Sequence, residues 1–207
     1  MHRRVFSAIV ALIMLGIDSP QLAQHQQVEV VVHNRARVSD TMMLDARSIV
    51  KSVYAQAGVQ LEWLSATPTS HMSFVGQRVH IIIVTANGAA GIGYQADAVG
   101  FTPSGEGHHG NLAYILEHRV RLIAQGYRVL PGVVLGAAMA HEMGHMLLQS
   151  GHTATGLMRA EFNQADFRRI VSGELHLSLS EAADLRARLM APPVNTRVSA
   201  HPLINEP

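Results

Sequence analysis

Hydrophobic and polar positions change their period several times along this chain. The stretch Val28 to Val32 is rich in β-branched residues and predicts a short strand. Ser39 or Asp40 then offers an N-cap, and Met43, Ala46, Ile49, Val50, Val53 and Tyr54 recur at helical spacing until Gly58 supplies a stop, so a helix of about 17 residues follows. Val59 to Leu64 reads as a second strand. Arg78 to Val84, with Ile81, Ile82 and Ile83 in succession, reads as a third, buried on both faces. Glycines crowd residues 86–110, where a short edge strand near Ala98 to Thr102 fits best. Asn111 to Glu117 predicts a further strand, and Val120 to Ala124 a helical turn.

The segment Val133 to Gln149, VVLGAAMAHEMGHMLLQ, is apolar nearly all the way round, which places a helix of this sequence in the interior. Before Gln149 its strongly polar side chains are His141, Glu142 and His145. Burying an ionisable trio is costly unless the groups are paired or hold a metal. Further on, Ser178 and Glu181 form a capping box for a last helix whose Leu179, Ala182, Leu185 and Leu189 are expected to face inward, and Pro192 with Pro193 ends it. The order of elements implies an α+β fold with helices packed on a mixed sheet.

The N-terminus has a different plan. Met1 to Arg4 carry two arginines, Val5 to Ile17 form an apolar run of 13, and polar residues follow, as in a secretory signal peptide. The run is short of the ~20 residues of a membrane span, so cleavage after Ala23 is expected, with a secreted or periplasmic product and no stable membrane insertion. The division is then 1–23 signal peptide, 24–191 folded domain and 192–207 flexible tail. Of 16 basic and 15 acidic residues in the 207, the signal removes Arg3, Arg4 and Asp18, leaving 14 of each. A neutral chain without a basic stripe gives no reason to expect nucleic acid.

With 48% hydrophobic and 15% charged residues, the composition excludes a mostly disordered regulator. Zero cysteines exclude a disulfide scaffold, a thiolate zinc finger and a cysteine nucleophile. The 13 histidines are left as the leading candidates for a transition-metal site.

Residues 141–145, HEMGH, match the pattern HExxH. On a helix, positions i and i+4 lie about 40° apart around the axis and about 6 Å along it, so both imidazoles can converge on one ion. Glu142 stands next to the first of them, within reach of a water on that ion. His152 follows His145 by seven residues. Gly151, before it, is expected to turn the chain back with a positive φ, and Gly144 to leave the site uncrowded.

The run HEMGHMLLQSGHTATGLM resembles the metzincin class of zinc metallopeptidases, whose pattern is HExxHxxGxxH followed by a methionine-containing turn. The resemblance implies His141, His145 and His152 as ligands of Zn2+, Glu142 as general base and Met158 as the Met-turn residue. It also implies a twisted mixed five-stranded sheet with a backing helix and an active-site helix, and a small C-terminal subdomain with the Met-turn and a C-terminal helix. The implied activity is endopeptidase cleavage of a protein or peptide substrate through a zinc-activated water. Two features depart from the pattern. The gap to the third histidine is seven rather than six, and Leu148 stands where the glycine is usual; a one-residue insertion that moves the glycine to Gly151 reconciles both.

Two other readings stay open: a zincin whose third ligand is Glu161 or Asp166, and a non-catalytic exported metal-binding module. Against the second, a structural zinc site usually fills all four positions with protein ligands and has no use for Glu142. His108 and His109 read as an exposed loop pair. His33, His71, His80, His118 and His176 have no partner at ligand spacing, and Tyr94 and Tyr114 read as packing residues.

Overall fold

A computed structural model describes residues 26–64, 77–94, 97–105 and 108–191. The expected signal peptide, the expected tail and His71 lie outside the described residues. The chain runs through β1 (Gln26–Asn34), α1 (Asp40–Gln56), β2 (Val59–Leu64), β3 (Gln77–Val84), β4 (Gly100–Phe101), a small hairpin of β5 (Ser104–Gly105) and β6 (His108–His109), β7 (Leu112–Leu116), α2 (Glu117–Tyr127), α3 (Pro131–Leu148), α4 (Gln164–Val171) and α5 (Leu179–Met190).

Five strands form one mixed sheet in the order β2-β1-β3-β7-β4. The first four are parallel, and β4 pairs antiparallel with β7 through Gly100↔Ile115 and Phe101↔Tyr114. Alternation sets the faces. Val28, Val30 and Val32 of β1, Val79, Ile81 and Ile83 of β3, and Ala113 and Ile115 of β7 are buried in the main core with α1 and α3. On the other face, Ile82 is only half-buried and packs with Tyr114 and Phe101 against a small cluster of Val84, Ala89 and Leu116. The three consecutive isoleucines of β3 therefore do not make it buried on both faces: among the described residues Ile82 belongs to this smaller cluster and not to the main core.

Ser39 caps α1: its Oγ accepts from the Met42 N–H at 3.3 Å. Gly58, at φ +79°, ends the turn after it, a conformation that costs glycine least. α1 lies against α3, and the distance between them is set by glycines. A Cβ on Gly132 would sit 2.5 Å from Asp45 Cβ, and one on Gly136 would sit 2.7 Å from Ile49 Cβ and 2.8 Å from the Ala46 carbonyl. Further along the same contact, the buried Tyr54 hydroxyl donates to the Ala140 carbonyl at 2.9 Å, and its burial pushes the phenol pKa up. Small residues four apart thus make the groove in which α1 lies.

Three expectations need correction. The helical turn at 120–124 is the 11-residue helix α2, which runs through polar positions around Val120 and Ala124 and closes on Arg128 at φ +54°. α4 is a helix where none is expected; its signal is the capping box of Asn163 and Asp166, with Phe167 and Ile170 facing the core. Leu179 is 92% exposed, because as the first residue of α5 it precedes the turn that carries Ala182 and Leu185 to the core. His33 and His80 pair across neighbouring strands, Nε2 to Nδ1 at 3.3 Å with stacked rings, and burial chiefly, with His33 and Arg78 nearby, holds the His80 pKa down. As packing residues Tyr94 and Tyr114 hold: each stacks on Phe101. Among the described residues no helix is long and apolar enough to cross a membrane.

The helix contact gives a paired prediction. Gly136→Ala presses on backbone and should cost about 1–3 kcal/mol by urea unfolding. Gly126→Ala, in α2 with nothing within 4 Å of the added Cβ, should instead stabilise by about 0.5–1 kcal/mol.

Candidate metal centre

α3 starts on Pro131 in its first turn, where the missing N–H has no helical partner to lose. All its residues except Pro131, His141 and His145 are buried. The helix ends at Leu148, and Gln149 takes the left-handed conformation, φ +52°, with its N–H on the His145 carbonyl at 3.1 Å. The reversal expected at Gly151 is made here, two residues earlier, and Gly151 is not among the positive-φ glycines. The chain between His145 and His152 thus reverses where the helix stops.

This turn brings His152 back over α3. The three Nε2 atoms form a nearly equilateral triangle: 3.0 Å from His141 to His145, 3.2 Å from His145 to His152 and 3.2 Å from His152 to His141. Among the described residues these three are the group of histidines and carboxylates close enough to hold a metal ion. Four nitrogens around zinc at about 2.0–2.1 Å would lie about 3.3 Å apart at tetrahedral angles, close to the triangle's sides.

The opposite ring nitrogens explain how the triangle could hold a cation. His141 Nδ1 lies 2.8 Å from the Leu157 carbonyl and His145 Nδ1 2.9 Å from the Ser150 carbonyl. A carbonyl only accepts, so each of these two rings, when neutral, carries its proton on Nδ1 and turns Nε2 as an acceptor towards the other histidines. Two acceptor nitrogens 3.0 Å apart are placed to share a metal ion or a proton. Burial, the largest cause, with the neighbouring histidines, lowers the His141 pKa to about 4 against the pull of Leu157, so this ring resists the proton.

The chain after His152 returns beneath α3. Thr153 N–H donates to the Met158 carbonyl at 2.8 Å and Leu157 N–H to the His176 carbonyl at 3.1 Å, while Gly156 turns at φ +80°. Leu157 and Met158 are fully buried. Gly144, expected to leave the site uncrowded, makes room for one particular atom, since a Cβ there would lie 2.2 Å from Met158 Sδ. The thioether occupies that space directly below the two helix histidines.

Glu142 faces the same cleft, 5% exposed. The Thr102 hydroxyl donates to its Oε2 at 2.9 Å. Burial raises its pKa to about 7, and the Thr102 bond pulls the other way. The cleft has a volume of about 540 Å³ and runs from His141, Glu142 and His152 to an apolar wing that includes Ile123, Tyr127, Val134, Ala138, Phe162 and Phe167, with Val99 and Gly100 on its border. Of the alternative ligands, Asp166 is engaged elsewhere: it accepts from the Asn163 N–H at 3.0 Å and from Arg159 at 3.2 Å. Glu161 is exposed on the cleft lining and is not one of the three clustered groups. Thr102 and the aromatic pair Tyr127 and Phe167 carry no motif in the sequence. They reach the site only through the approach of β4, α2 and α4 to α3.

Two measurements check the centre. Zinc should bind at about one ion per chain, with affinity falling as acid protonates the imidazoles; His152→Ala should lose the ion and Glu161→Ala keep it. In metal-free protein two opposed pH dependences should appear. Below 6.5 the unfolded state protonates His141 and the folded state does not until about 4, so this group makes stability rise with pH. Above 4.5 the unfolded state ionises Glu142 and the folded state does not until about 7, so this group makes stability fall with pH. The two slopes nearly cancel between 4.5 and 6.5. Relative to wild type, Glu142→Gln should gain up to about 3 kcal/mol on going from about pH 4.5 to about pH 7 in urea unfolding, and His141→Phe should lose a similar amount. No protein-family model matches this chain, and no curated protein matches it.

Proposed function

We propose that this chain is an exported zinc-dependent endopeptidase, similar to the metzincins. The observation that carries the reading is the triangle of three imidazole nitrogens at ligand spacing, opening on a cleft that also holds a buried carboxyl. The donor set fits zinc: three imidazole nitrogens, two of them on rings fixed by carbonyl bonds on the far side, with room for a fourth, non-protein position as in catalytic sites. When bound, zinc lowers the pKa of a water towards about 7 and polarises the substrate carbonyl.

The protein's own groups do the rest. Glu142 takes the proton from the attacking water and passes it to the departing amide nitrogen. Burial beside the metal position keeps this carboxyl close to the reacting groups and out of bulk water. Among the described residues β4 is one of the two sheet edges, so an extended peptide can add to it as a further strand, with backbone hydrogen bonds giving affinity. The apolar wing offers a place for one bulky hydrophobic side chain beside the scissile bond. Met158, seated against Gly144, takes the part of the Met-turn residue: it supports the ligand helix from below and does not touch the chemistry.

In a peptide-library assay run beside metal analysis, Glu142→Gln should keep its zinc and lose cleavage by about 10²–10⁴-fold. One zinc per chain with no cleavage by wild type or variant would leave a metal-binding module instead.

A further inference from the structure

β4 does more than border the cleft. In an extended segment alternate side chains share a face. Phe101 points away from α3 and stacks on Tyr114, ring centroids 5.1 Å apart. Its neighbours Gly100 and Thr102 both meet Glu142. A Cβ on Gly100 would lie 2.9 Å from Glu142 Cγ, 3.0 Å from Oε1 and 2.8 Å from Ile115 Cδ1, so the strand backbone rests directly on the stem of the carboxyl. Thr102 Oγ1 holds Oε2 at 2.9 Å. One oxygen is engaged by the hydroxyl, and the other lies against the bare Cα of Gly100.

A glutamate has three rotatable bonds, and a buried carboxyl can hold its proton partner only in the rotamer its donors allow. We propose that Thr102 is a positioning residue for Glu142: its hydroxyl fixes Oε2 and so aims Oε1 at the water and amide nitrogen between which the proton moves. Thr102 keeps its own proton throughout. The strand that seats the peptide backbone thereby also aims the base, and a shift of the edge strand moves both together. This inference rests on the peptidase reading.

Two experiments on the full chain separate the failures. In metal-free protein at fixed pH, unfolding equilibria of Thr102→Val, Glu142→Leu and the double variant should be non-additive by about fivefold, the worth of one buried hydrogen bond. With zinc bound, Thr102→Val should keep its metal content and KM within about twofold while kcat falls about tenfold or more, and Thr102→Ser should restore most of it. Additive unfolding effects, or a Thr102→Val kcat equal to wild type, would overturn the proposal. A wild-type protein that holds zinc and cleaves nothing, with the unfolding coupling intact, overturns the peptidase reading and leaves the hydroxyl anchor standing.

Discussion

An apolar helix carrying two histidines and a glutamate has to be buried, and the three polar groups have to be buried with it. Everything around α3 answers to that constraint. Covering its apolar face needs a second helix, and α1 comes close enough only because Gly132 and Gly136 have no side chains. Covering the end with the histidines needs the chain itself to return, and it does so through Gln149 and the loop that seats Met158 against Gly144. The same small residues that let the core close also fix the height of the clustered imidazole nitrogens above it.

Polarity is handled by direction. Carbonyls of Leu157 and Ser150 hold the protons of His141 and His145 on the side away from the cleft, so the lone pairs turn inward together. Those carbonyls come from the loops that follow the left-handed and glycine turns, not from α3. Loop geometry therefore sets the tautomers, and the tautomers turn the acceptor nitrogens of the cluster towards one another. Glu142 is treated differently: its burial favours the neutral acid, and a single hydroxyl from the edge strand offsets part of that cost.

Much of this is legible in the sequence. Alternating valines in β1, the 3.6-residue period of α1 and the all-apolar α3 name their elements because burial pattern and period are both local properties. HEMGH is legible for the same reason, since helix geometry converts a spacing of four into shared direction. What fails to read is non-local or terminal. Ile82 is half-buried because its face packs on a small cluster rather than on the main core, a matter of topology that three isoleucines in a row do not encode. Leu179 is exposed because it opens its helix. Asn163 with Asp166 is a cap written in the sequence but hard to single out amid mixed residues.

Local pattern suffices for the apolar helix and the trio on it, for the absence of thiol chemistry, and for His141, His145 and His152 as candidate ligands. Packing settles how the seven-residue gap closes, because the closing turn depends on one residue, Gln149, accepting a conformation that its type disfavours. Packing also assigns Thr102 to Glu142, 40 residues away. A hydrogen bond between a sheet edge and a helix leaves no period in the chain; it exists only once the two are packed.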